Sequence, residues 1–100
     1  MKRYRLRRRY GRSERHGGGH GFENYETWSV ALTFGNDRDS YDRVMAAASR
    51  TPFTAATASS FTRRLWPRGT PEMASRGGSK AYAKVNWQEV ADKFNDMVRD

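Results

Sequence analysis

The chain contains no cysteine, which removes disulfides, thiolate zinc sites and thiol nucleophiles at once. It has no apolar run near the roughly 18–20 residues that span a bilayer. No apolar stretch follows the positive N-terminus, so a cleaved secretory signal is not expected. No period repeats along the sequence and no heptad persists over several turns, which excludes a solenoid and a long coiled coil. No G-x-S-x-G elbow occurs, and both histidines, His16 and His20, sit in a glycine-rich stretch. Acid is almost missing from the start. The first sixteen residues, MKRYRLRRRYGRSERH, hold a single carboxylate, Glu14.

What those sixteen residues do hold is eight bases: Lys2, Arg3, Arg5, Arg7, Arg8, Arg9, Arg12 and Arg15. They account for +7 of the chain's formal +8, leaving eleven bases against ten acids over residues 17–100. A concentrated like-charged run repels itself, resists folding alone and seeks a polyanion. The composition therefore predicts a disordered Arg-rich N-terminal arm, residues 1–21, on a nearly neutral domain, residues 22–100. Gly17, Gly18, Gly19 and Gly21 mark the boundary, because glycine is costly to order. About eighty residues suffice for one small domain with a thin core.

That domain is expected to be mainly α, with three to four helices. Asn24 to Gly35 reads as the first, with Asn24 as cap, Glu26 in the first turn, and Tyr25, Trp28, Ala31 and Leu32 as its apolar face. Gly35 is expected to stop it in a left-handed conformation. Residues 36–40, NDRDS, read as a turn. A second helix spans about Ser40 to Ser49 on Tyr41, Val44, Met45 and Ala48. Thr51-Pro52 predicts the start of a third, with Phe53, Thr57, Phe61 and Leu65 on one face and Trp66-Pro67 closing it. Residues 67–80, with two prolines and three glycines, predict a surface loop. The last helix has a capping box in Asn86 and Glu89, a staple in Val85 and Val90, and a stripe of Trp87, Val90, Ala91, Phe94 and Val98.

The run Asn24-Tyr25-Glu26-Thr27-Trp28, followed by Ser29-Val30-Ala31-Leu32, resembles a small domain family of bacteriophages and some bacteria that opens on N-Y-E-T-W. Asn36-Asp37, Tyr41 and the Val85 to Glu89 segment occupy further positions of that pattern. The resemblance covers roughly residues 22–100, implies a phage-related origin and a compact helical fold, and implies no catalytic residue. The arm is similar in composition to the arginine-rich segments with which small phages neutralise packaged genomes.

The candidate nucleic-acid contacts are Lys2, Arg3, Tyr4, Arg5, Arg7, Arg8, Arg9, Tyr10, Arg12 and Arg15. Arginine keeps its charge and presents a planar fork to phosphate, and the tyrosines suit stacking on unpaired bases. Nothing in the arm has fixed groove geometry, so binding without sequence specificity is expected, with DNA the first expectation. Arg63, Arg64 and Arg68 are auxiliary candidates, although the dipole at a helix C-terminus also accounts for them. The competing readings of the arm are an acidic protein surface as partner, or a solvated tail. Tyr4, Leu6 and Tyr10 are thin support for a membrane.

Neither a metal nor a cofactor is expected. His16 and His20 lack further ligands, and the Gly17–Gly21 stretch lacks a strand and the P-loop Lys-Ser/Thr pair. Glu23 and Glu26 read as favourable helix-start charges rather than an acid/base dyad, and no enzyme is expected. Together these features predict a non-enzymatic, phage-type nucleic-acid-binding protein of a virion interior or host cytoplasm. Its helical domain would dock to a capsid, another protein or a second copy of itself. The alternative is a small counter-defence inhibitor or adaptor that binds a host nucleic-acid enzyme.

Overall fold

A computed structural model describes residues 21–99. The predicted arm and its ten candidate contacts, apart from Gly21, lie outside the described residues, as do His16 and His20. The fold is helical, with no strand among the described residues. The α-helices are α1 (Tyr25–Asn36), α2 (Arg38–Arg50), α3 (Ala55–Leu65) and α4 (Trp87–Arg99), with two 3₁₀ helices, η1 (Pro71–Arg76) and η2 (Gly78–Lys84), between α3 and α4.

Two helices form the centre. α1 packs against α2, α4, η1 and η2, while α4 also packs against α2 and α3. A knot of four phenylalanines fills the space between them. Phe94 of α4 lies 5.0 Å from Phe34 of α1 and 4.9 Å from Phe53, which lies 5.2 Å from Phe61, centroid to centroid. All three contacts are edge-on, the arrangement that the ring quadrupole favours. Val30, Val44 and Val90, all without exposed surface, extend this core.

α1 is enclosed on more than one face, and its buried residues include Thr27, Ser29 and Thr33 beside Val30, Ala31 and Phe34. Tyr25, Trp28 and Leu32, expected as its inward stripe, are only half-buried. Each of these three α1 hydroxyls finds a partner. Ser29 donates to the Glu26 carbonyl at 2.9 Å. The Thr33 hydroxyl lies 2.9 Å from the Ser29 carbonyl and 2.5 Å from a Glu72 carboxylate oxygen.

Several expected boundaries move. Gly35 does not stop α1 but is buried within it, and the helix ends one residue later. The five-residue turn contracts to Asp37 alone. Its N–H donates to the Thr33 carbonyl, ending α1, while its carboxylate accepts from the Ser40 N–H, starting α2. Thr51 terminates α2 instead of capping α3. Pro52 is not the first helical residue, because both backbone groups of Phe53 bond the Asn95 amide, at 2.8 and 3.1 Å, and hold the chain outside the helix. α3 begins after Thr54, which forms a capping box with Thr57. Thr57 is thereby exposed, and Ala58 and Thr62 take the buried face with half-buried Phe61 and Leu65. On α4, Met97 is buried and Val98 is exposed, the reverse of the expected end of its stripe.

Most of the expected loop is structured. Residues 71–84 coil as η1 and η2 because Met73, Ala81 and Tyr82 bury apolar surface against the helices. Gly77, with φ of 99°, joins them in the left-handed region. Gly69 is needed for a second reason as well. A Cβ there would stand 2.6 Å from the Gly78 carbonyl carbon, so only glycine lets the two loop strands meet.

The ends of α1 and α4 are tied together. Asn24 Oδ1 accepts from the Thr27 N–H at 2.9 Å, and Asn86 Oδ1 accepts from the Glu89 N–H at 3.0 Å. Those are the expected caps. The reciprocal half of the expected Asn86–Glu89 box does not form, because Glu89 instead accepts from the Glu23 N–H at 3.0 Å. The Asn86 N–H donates to the hydroxyl of Thr27 at 2.8 Å. Replacing Thr27 with valine keeps the shape but strands that buried N–H. The expected loss is about 1–3 kcal/mol in urea unfolding with an unchanged m-value, while Thr27→Ser retains most of the stability.

Candidate nucleic-acid interface

The described residues carry eleven bases and nine acids, and the two signs are segregated along the chain. No acidic residue lies between Asp42 and Glu72, nor between Glu72 and Glu89. Packing brings the end of α3 in the first of these segments against η2 in the second. The end of α3, the connection after it, and η2 meet there, bearing exposed Arg63, Arg64, Arg68, Lys80 and Lys84.

Three contacts assemble that surface. The Tyr82 hydroxyl of η2 donates to the Trp66 carbonyl at 2.6 Å, satisfying an acceptor left over at the end of α3. The close approach of Gly69 to Gly78 brings Arg68 beside the start of η2. The Arg63 guanidinium then lies over two rings, 5.2 Å from the centroid of Tyr82 and 5.8 Å from that of Trp87. Its Nε donates to the Ser59 hydroxyl at 2.9 Å. The two rings and this one bond hold the guanidinium in place, and its terminal nitrogens have no hydrogen-bond partner among the described residues. Among the described residues, the side chains of Arg64 and Arg68 have no hydrogen-bond or ion-pair partner. Arg63 and Arg64 also stand in the last turn of α3, where cations complement the dipole.

Of the thirteen candidate residues, the structure therefore places Arg63, Arg64 and Arg68 together, and the other ten lie outside the described residues. Lys80 and Lys84 are further exposed cations, on η2, and were not anticipated. The signal that finds them is the absence of Asp and Glu from 43–71 and 73–88.

The N-Y-E-T-W run is spent on architecture. Asn24 caps α1, and its amide donates to the Lys84 carbonyl at 2.8 Å. Tyr25 donates to the Glu72 carbonyl at 3.2 Å and lies beneath the Arg76 guanidinium, 4.1 Å from its ring centroid. Glu26, buried, faces Arg76 across 3.9 Å. Glu23 accepts from the Asn86 amide at 2.6 Å. Glu23 and Glu26 thus make separate contacts, with Asn86 and with Arg76. Among the described residues no group of three His, Cys, Asp or Glu side chains is placed to hold a metal, and no helix is long and apolar enough to cross a membrane. Comparison of the chain with protein-family models, curated proteins and solved structures finds no match.

Burial pushes the Tyr82 phenol up to about 12, against the opposing pull of Arg63. A raised value means that the folded state keeps its proton where the unfolded chain has lost it. This contribution is complete below about pH 10, the unfolded value, and is lost as the pH rises towards about 12. Tyr82→Phe is expected to flatten the fall in stability over that window, measured as melting temperature against pH. The same variant lowers stability at neutral pH by about 1 kcal/mol through the lost bond to Trp66.

Proposed function

We propose that this protein binds nucleic acid without catalysis or sequence preference, in the manner of a phage genome-neutralising protein. The N-terminal arginines supply most of the phosphate contacts, and the α3–η2 surface supplies a second set. The observation that carries this reading is the segregation of charge, with a +7 stretch joined to a nearly neutral body in which Arg63, Arg64, Arg68, Lys80 and Lys84 fall in segments without Asp or Glu. Each neutralised phosphate releases counterions, so such a contact declares itself in its salt dependence. The N-Y-E-T-W resemblance supports the phage connection. The helical body then acts as the anchor, docking to a capsid, another protein or a second copy of the chain.

The test is affinity for mixed-sequence single- and double-stranded DNA and RNA across a salt series. An arm that neutralises about five to eight phosphates gives a log–log slope of about −4 to −7. A full-length chain with the seven N-terminal arginines changed to glutamine is expected to lose most of that slope. The triple variant Arg64→Gln, Arg68→Gln, Lys80→Gln is expected to lower its magnitude by about 1–3, roughly one per contact removed. An unchanged slope in the arm variant removes the proposal.

A further inference from the structure

Arg63 differs from the other cations near the α3–η2 junction in what surrounds its guanidinium. The ring of Tyr82, only 1% exposed, lies 5.2 Å away, and half-buried Trp87 lies 5.8 Å away. Because Tyr82 is buried and Arg63 is exposed, the guanidinium stands between that ring and solvent. The platform is held from two sides. Tyr82 donates to the Trp66 carbonyl at 2.6 Å, and its ring lies 5.7 Å from that of Trp87, the first residue of α4. Arg64 and Arg68 lie over no ring among the described residues.

A second arginine gives the comparison. Arg76 lies over the Tyr25 ring at 4.1 Å, and it faces buried Glu26 across 3.9 Å. Its anion is thus inside the protein. Arg63 has none: it makes no ion pair among the described residues, and its one hydrogen bond runs from Nε to Ser59. The nearest acids in the chain are Asp42 and Glu72. Glu89, two residues after Trp87, accepts from the Glu23 N–H instead.

A guanidinium placed this way keeps two surfaces unused, the edge that bears its terminal nitrogens and the face towards solvent. The edge suits a phosphate, which takes two parallel charge-assisted bonds. The face suits a nucleobase, which stacks on an arginine plane as on an aromatic ring. Free phosphate and an acidic peptide use the edge alone. So does a duplex, whose base faces are covered by their neighbours in the stack. An unpaired nucleotide uses both. We infer that Arg63, backed by Tyr82 and Trp87, binds an unpaired nucleotide, with its edge on the phosphate and its outer face on the base. The inference rests on the nucleic-acid reading above and adds that this part of the body takes single strands. Every base has a face to stack, so no sequence preference is added.

The test uses the full chain with a short mixed-sequence single strand, an abasic strand of the same phosphate count, and the single strand annealed to its complement. Affinities are measured for wild type and for Arg63→Lys, which keeps the charge but lacks the plane and the fork. Arg63→Lys is expected to weaken single-strand binding by about three- to tenfold more than abasic or duplex binding. Arg64→Lys, with no ring behind it, is expected to shift all three affinities in equal proportion. The wild-type chain labelled with ¹⁵N gives an independent readout. Its Arg63 Nε–H signal is expected to move further with the single strand than with the abasic strand. Equal weakening of all three ligands by Arg63→Lys, or an Nε–H signal that moves alike with and without bases, overturns this inference alone. Wild-type chain that binds none of the three in a salt-dependent way overturns the nucleic-acid reading and this inference with it.

Discussion

The structure depends on an exchange of caps between two helices far apart in sequence. In an ordinary capping box, the third residue of a helix returns its side chain to the N–H of its own cap. Here Thr27, third in α1, takes the N–H of Asn86, which lies 59 residues away and begins α4. Glu89, third in α4, takes the N–H of Glu23, which precedes the cap of α1. Neither helix start is fully satisfied without the other. Two positive helix ends are thereby set side by side, and the carboxylates of Glu23 and Glu89 stand where that charge needs neutralising. The phenylalanine knot between Phe34 and Phe94 closes further along the same pair of helices.

This clasp explains why a run as polar as Asn24-Tyr25-Glu26-Thr27 opens a central helix. Its side chains make contacts within the protein. They bind η1 through Tyr25, η2 through Asn24 and α4 through Thr27. The 3₁₀ segments are held in turn against α1 and the end of α3, and their placement decides which cations share a face. Arg63 over Tyr82 and Trp87 is a packing contact that also leaves a pre-oriented guanidinium at the surface.

Where the sequence misleads, the cause is a group whose partner lies far along the chain. Apolar periodicity assigned Tyr25, Trp28 and Leu32 to the buried side of α1 because it cannot credit Thr27, Ser29 and Thr33 with burial. Those hydroxyls are buried only because acceptors and donors meet them. Pro52 looked like a helix start because local propensity cannot see Asn95 holding Phe53. Residues 71–84 looked like loop because proline and glycine dominate them, yet Met73 and Tyr82 have a core to enter. Trp66, by contrast, ends α3 as expected, since proline restricts the residue before it whatever surrounds it.

By itself the sequence determined whatever acts over a few bonds or is summed along the chain. That includes the concentration of charge at the start, the helical class, the caps at Asn24 and Asn86, and the stop at Trp66. Tertiary structure alone decided which helix ends share caps, which arginine lies over which ring, and which buried polar atoms are left unpartnered. The division has a physical basis. Propensity and charge belong to residues or to short stretches of chain, whereas hydrogen-bond satisfaction in a dry interior belongs to pairs that only folding brings together.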